Sequence, residues 1–155
     1  MSGFTANSPA IPSEPDIIAG SFWPPTKLGS MRDALRLDGS VTPARLREAA
    51  VNAVIVVGDE LAAWQAARMA DGHLALADVP SPAIDSSTRH LLLYARAVRC
   101  ATAVELQERF RSYDATAQGN QRADDLAPTI DELRRDLRHA VSDFLGRPRT
   151  LVDLI

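Results

Sequence analysis

Three histidines, one cysteine and twenty carboxylates are the side chains of this 155-residue sequence that could act as bases, nucleophiles or metal ligands. His90 and Cys100 stand ten residues apart. On one helix that spacing means about 15 Å of rise and about 1000° of rotation, which puts them on different faces. A Cys/His dyad within one chain is therefore not expected. His73 follows a predicted helix end and His139 falls on the outer side of the last predicted helix, positions suited to surface or capping imidazoles. Asp124, Asp125, Asp131, Glu132 and Asp136 gather around the start of that last helix, where negative charge complements the helix dipole without a metal. No zincin, nucleophile-elbow, Gly-rich phosphate-loop, EF-hand or paired Cys-x-x-Cys motif occurs. The expectation is no catalytic residue, no cofactor and no metal site, hence no enzyme.

Charge offers more than nucleophiles do. Arg134, Arg135 and Arg138 share the polar side of the last helix, and Arg147 and Arg149 extend the basic stretch. Three readings stay open for them: a solvated face balanced by Asp131 and Asp136, a phosphate contact, or an ion pair to a neighbouring subunit. The chain carries sixteen arginines against the single Lys27. A planar guanidinium fork suits bidentate contacts between subunits better than an ammonium does, although a GC-rich genome would give the same bias. A net charge of -3 argues against a protein that coats nucleic acid over its whole surface.

The elements that must position these residues are helices. Five of the ten prolines, at 9, 12, 15, 24 and 25, fall in the first 25 residues; they fix φ, remove donors and push their neighbours towards extended backbone. Residues 1–27 read as an extended arm whose sticky segment is Phe22-Trp23-Pro24-Pro25, either folding back on its own core or docking on a neighbour. Ser30 is a candidate N-cap for a short helix over 31–37, ending at Asp38-Gly39. Thr42-Pro43 starts a long helix. Its apolar residues Leu46, Ala50, Ala53/Val54, Val57, Leu61, Trp64 and Met69 recur at helical spacing to the stop at Asp71-Gly72. Val54-Ile55-Val56-Val57 could also be a buried strand, but the spacing continues on both sides of Gly58, the weak point of that helix.

A loop over 77–82 and caps at 85–88 precede a third helix to about Tyr113. Leu92, Tyr94/Ala95, Val98, Ala101/Thr102, Leu106 and Phe110 should face inward, with Arg96, Arg99, Glu105, Glu108 and Arg109 outward. Gln118-Gly119-Asn120 breaks the pattern. The last helix carries the cleanest stripe, Leu126, Ile130, Leu133, Leu137, Val141 and Phe144, stopped by Gly146 and Pro148. Leu151, Val152, Leu154 and Ile155 form an apolar tail. No alternating strand pattern is present, so the fold class is all-α: an elongated antiparallel bundle of three long helices plus a short N-terminal helix, with an extended N-terminal arm and C-terminal tail.

Length and composition agree with one domain: at 46% hydrophobic residues a chain of this size can hide roughly 70% of its unfolded surface. Cys100 has no internal disulfide partner. With no signal-like N-terminus and no run of 18 apolar residues, neither export nor membrane spanning is expected, and the setting is intracellular. A helix over 43–70 would be about 42 Å long, against a radius of gyration of about 14 to 15 Å for a globule of this size. Such a body, with two extensions, suits contacts between subunits.

Several segments, in order, resemble the phage head completion protein (GPL) family. They are Val41-Thr42-Pro43-Ala44-Arg45-Leu46-Arg47-Glu48-Ala49, Leu76-Ala77-Asp78-Val79-Pro80 and Tyr94-Ala95-Arg96-Ala97-Val98. Further on come Arg109-Phe110-Arg111-Ser112-Tyr113-Asp114-Ala115, the polar break ending at Arg122-Ala123-Asp124, and Thr129-Ile130-Asp131-Glu132-Leu133-Arg134-Arg135-Asp136-Leu137-Arg138-His139-Ala140-Val141, then Gly146-Arg147-Pro148-Arg149. The similarity runs from about Phe22 to Ile155.

This resemblance implies a structural virion protein of a contractile-tailed temperate phage, located at the head-tail junction and, during assembly, in the host cytoplasm. Such a protein joins the portal vertex once the head is full of DNA, stabilises the head against leakage, and offers a surface to neck or tail proteins. By the same analogy the chain is one stave of a closed ring of about twelve copies, through whose lumen DNA passes without sequence-specific binding. Residues 1–27 would then be an arm, 28–147 a helical connector domain and 148–155 a tail. The expected partners are further copies of the chain, the portal protein and a downstream neck or tail completion protein, with no membrane. The candidate interface residues are Phe22, Trp23, Arg134, Arg135, Arg138, Leu151, Val152, Leu154 and Ile155.

The alternative is a DNA-binding packaging protein such as a terminase small subunit, also short and helical. It requires a helix-turn-helix with a basic recognition helix, and the candidate turn from Ser112 to Arg122 exceeds the usual three or four residues.

Overall fold

The computed structural model of the chain describes residues 14–110 and 128–148, and they are mostly helical. Helix α1 spans Leu28–Ala34, α2 Pro43–Ala70, α3 Arg89–Phe110 and α4 Ile130–Leu145. A 3-10 turn covers Leu76–Asp78, and a two-stranded antiparallel ribbon pairs Ala83–Ile84 with Ser87–Thr88. The ends expected at Tyr113 and Leu126, the break at Gln118-Gly119-Asn120 and the turn from Ser112 to Arg122 lie outside the described residues, as does the tail with Leu151, Val152, Leu154 and Ile155.

Local chemistry explains most boundaries. Thr42 caps α2, its hydroxyl accepting the Arg45 N–H, and Pro43 occupies the first turn. The helix runs unbroken through Gly58, so Val54-Ile55-Val56-Val57 is helical and not a strand. Gly72, at φ 94°, ends the helix region, with the His73 N–H donating to the Arg68 carbonyl at 3.1 Å. A capping box starts α4: the Thr129 hydroxyl accepts the Glu132 N–H, and Glu132 accepts the Thr129 N–H at 2.8 Å. The Thr129 N–H and hydroxyl, both donating to the Glu132 carboxylate, hold it below its ordinary pKa. Gly146 closes α4 in the left-handed conformation.

Three boundaries correct the expectation; the first is the end of α1, which stops at Ala34 with Arg36 at φ 53° and does not reach Leu37. α1 starts at Leu28, with Lys27 at its N-cap and no side-chain cap bond, so Ser30 is inside the helix. Burying Leu28 and Met31 to 1% and 7% exposure is worth about 1.5–3 kcal/mol per side chain, against about 1 kcal/mol for a cap. The residues expected as a row of caps at 85–88 instead build the ribbon. Asp85 and Ser86 both take positive φ, 46° and 60°, the backbone of a two-residue hairpin turn. Only Thr88 acts as a cap, accepting the Leu91 N–H at 3.3 Å. Strands of two residues carry no periodicity, which is why the all-α reading missed them.

Contacts along the helices fix their direction. Glu48 meets Arg109, Asn52 meets Glu105 and Trp64 meets His90, so α2 and α3 run antiparallel. Arg96 meets Asp143, Gln107 donates to the Pro128 carbonyl and Glu108 meets Arg134, so α3 and α4 do too. Between them lie Leu46, Ala50, Val57 and Leu61 of α2, Ala97, Val98 and Ala101 of α3, and Ala140 and Val141 of α4. Buried Thr102 satisfies its hydroxyl on the Val98 carbonyl at 2.8 Å. Three residues expected inward are exposed: Met69, Leu92 and Ala95. At 100° per residue Leu92 and Ala95 lie beside Arg99, opposite Tyr94 and Ala101.

The described part of the supposed arm is part of this body. Ile17 and Thr26 exchange two backbone hydrogen bonds, of 3.0 and 2.9 Å, and the Leu76 N–H donates to the Phe22 carbonyl at 2.8 Å. Glu14 forms a buried ion pair with Arg32 of α1, the side chains 4% and 8% exposed. Arg32 also donates to the carbonyls of Val41 and Asp38, and Arg47 donates to that of Pro15. Prolines that forbid a helix here do not forbid packing.

Candidate interaction surfaces

The residues able to do chemistry do not converge. His90 lies among aromatic rings, 5.2 Å from Trp64 and 5.5 Å from Phe144 between centroids. Burial, aided by the charges of Arg89 and Arg68, lowers its pKa. Tyr94, 2% exposed, has its pKa pushed up to about 12 by burial, and its hydroxyl has no hydrogen-bond partner among the described residues. Burial also raises the Cys100 thiol, away from the thiolate a nucleophile needs. His73 and His139 are half-buried on other elements. Among the described residues, no group of three or more His, Cys, Asp or Glu could hold a metal ion, and no helix is long and apolar enough to cross a membrane.

Phe22 and Trp23, candidate interface residues, follow the other reading of the arm: they fold back as core residues of this chain, 2% and 7% exposed. Trp23 stacks on Tyr94, while Phe22 meets Trp23 edge-on at 5.0 Å and Trp64 at 6.3 Å. The energetic reason is area: aromatic side chains bury some 150–250 Å² each, and the ring cluster of Trp64, Tyr94 and Phe144 is there to receive them.

The three arginines of α4 are exposed but differ. Arg134 is already engaged, 2.7 Å from Glu108 of α3 and 3.8 Å from Asp131. Arg135 and Arg138 form no ion pair among the described residues. Two unpaired guanidinium groups one turn apart are a recognition element for carboxylate or phosphate.

A surface absent from the sequence-based expectations lies on α2. Its inner side buries Leu46, Ala50, Ala53, Val57 and Leu61, yet Ile55 at 55%, Val56 at 41% and Met69 at 49% stay exposed on the outer side. At 100° per residue these three share that side with Asp59, Ala62, Ala63, Ala66 and Ala70. A helix apolar on both sides is the pattern of one buried on both sides. The signal was present in Val54-Ile55-Val56-Val57, since four consecutive apolar residues cannot all face one core.

Comparison with known proteins gives the chain its relatives. The family model described as phage head completion protein (GPL) matches residues 17–155. The head completion/stabilization protein of Escherichia phage P2 is 39% identical over 142 residues, covering 92% of this chain and 84% of that protein. No solved structure matches. With a family match that starts at Ile17 and takes in all four described helices, the chain belongs to the phage head completion protein (GPL) family.

Proposed function

We propose that this protein completes and stabilises the DNA-filled head as one stave of a closed ring at the portal vertex, and that the ring presents the surface to which neck or tail proteins attach. The observation that carries the reading is the apolar outer side of α2. Exposed apolar side chains gathered on one side of a helix mark a contact site, and α2 offers them from Ile55 to Ala70.

The complementary surface is α4. In a heterologous, head-to-tail contact the outer side of α2 on one copy, with Asp59 within its apolar strip, meets Arg135 and Arg138 of the next; repeated about twelve times, such a contact closes a ring. Residues upstream of Glu14 and the tail residues Leu151, Val152, Leu154 and Ile155 add contacts to neighbours, portal or neck. A net charge of -3 suits a lumen that DNA crosses without being held. In this reading the protein is a structural virion component and has no turnover of its own. Negative-stain imaging of the purified chain with and without its cognate portal tests it: rings or portal-capped rings are expected, and particles that never associate with portal would reject it.

A further inference from the structure

Pro25, Met31, Ala34, Ala95 and Val98 line a groove of about 240 Å³ between α1 and α3, and its charged lining residues are Lys27 and Arg99, both exposed. Both charges are positive, and neither has an ion pair among the described residues. The volume is below the roughly 300–1,000 Å³ of small-molecule sites and suits an aliphatic side chain better than a cofactor. We propose that the occupant is a second copy of this chain, whose ribbon tip seats Ile84 in the groove and sets Asp85 against Lys27 and Arg99.

The tip has the shape and the chemistry for this. Ile84 is apolar yet 50% exposed, and it is not a lining residue of its own chain's groove, so a second copy has to supply it. Asp85 and Ser86, at φ 46° and 60°, make the two-residue turn, and the strands on either side pair Ala83 with Thr88 and Ile84 with Ser87. A knob fixed in this way pays little ordering entropy when it docks. The exposed Asp85 carboxylate has no ion pair among the described residues. Its Cα is about 3.8 Å from that of Ile84, so an Ile84 seated between Met31 and Val98 brings Asp85 to the two cations. Opposite charges beside an apolar anchor fix the register of a contact and exclude wrong partners.

This contact deepens the ring reading and rests on it for closure. Knob and groove are different patches of the chain, so the contact can repeat head to tail, as a ring requires. Trp64 of α2 meets His90 of α3, which puts the ribbon at the Met69 end of the apolar outer side of α2. The charges of Arg99 and Asp136 both bear on the Cys100 thiol, which puts the groove level with the turn of α4 that carries Arg135 and Arg138. The ribbon thus lies at the end of one surface of the ring contact, and the groove level with the other.

Lys27 is the single lysine of the sequence, which makes the test specific. Equal amounts of ¹⁴N- and ¹⁵N-labelled full-length protein are mixed with the cognate portal, treated with a zero-length carbodiimide and digested. The expected product joins Lys27 to Asp85 and carries both labels. Its absence overturns the proposal, whether Lys27 is joined to Asp85 within one label only or to carboxylates of the portal instead. Ile84→Ser should weaken self-association in sedimentation roughly tenfold or more, and unchanged association in a variant with the parent's circular dichroism overturns the proposal equally. Rings without the mixed-label link reject this contact and leave the ring standing; the link in open pairs that never close supports the contact and counts against the ring.

Discussion

The Trp23 indole lies flat on the Tyr94 ring, centroids 4.6 Å apart and planes 7° from parallel, so a residue from the Pro-rich start is part of the packing between α3 and α4. Replacing Trp23 with Ala empties that position. Large aromatic-to-Ala changes in cores cost about 3–5 kcal/mol, and urea unfolding should show a loss in that range. A loss below about 1 kcal/mol would mean that the stack is not part of the stable fold.

The boundary of the folded body is testable by truncation. Removing residues 1–27 should abolish cooperative unfolding, because Glu14, Ile17, Phe22 and Trp23 go with it. Glu14→Ala alone strands the buried Arg32 charge, which costs about 3 kcal/mol or more in comparable buried pairs. Circular dichroism and denaturant titration read both, and intact helicity after loss of 1–27 would restore the free-arm reading.

His90 makes stability depend on acid. Its pKa is lowered in the folded protein, first by burial and then by Arg89 and Arg68, so below its ordinary value of about 6.5 the unfolded chain binds the proton more readily. Its stabilising contribution is present above that value and is lost as pH falls through the lowered one. Thermal unfolding at pH 7.5 and 5.5 should show a smaller acid loss in His90→Phe than in the parent; equal losses would assign the effect to other groups.

Arg135→Glu with Arg138→Glu should weaken self-association at least tenfold without altering the monomer, since neither arginine has an ion pair among the described residues. Arg134→Glu disturbs an exposed pair with Glu108, worth about 0–1 kcal/mol. Sedimentation at two salt concentrations separates the outcomes: association that is salt-sensitive in the parent should lose that sensitivity in the double variant, and unchanged association would remove α4 from the contact.

What the sequence made legible followed local rules. Thr42-Pro43 and Thr129 with Glu132 mark their helix starts because capping is a matter of three or four neighbouring residues. Phe22-Trp23 was legible as sticky, but composition left its own core and a neighbour's surface as equal destinations, since the partner rings on α3 and α4 lie far off in sequence. The outer side of α2 was hidden for another reason: a search for one apolar stripe accepts Met69 as core and passes over Ile55 and Val56. The Glu14–Arg32 pair had no signal, because a buried charge looks like a surface one until its partner is known.

The central claim is that the outer side of α2 holds this protein to its neighbours in the completed head. Ile55→Asp changes an exposed residue, so monomer stability should move by no more than about 0.5 kcal/mol. The measurement is DNA retained in purified heads assembled with Ile55→Asp protein in place of the parent. The account predicts heads that package DNA and then lose it, with the variant absent from the particles; full retention with the variant incorporated would contradict it.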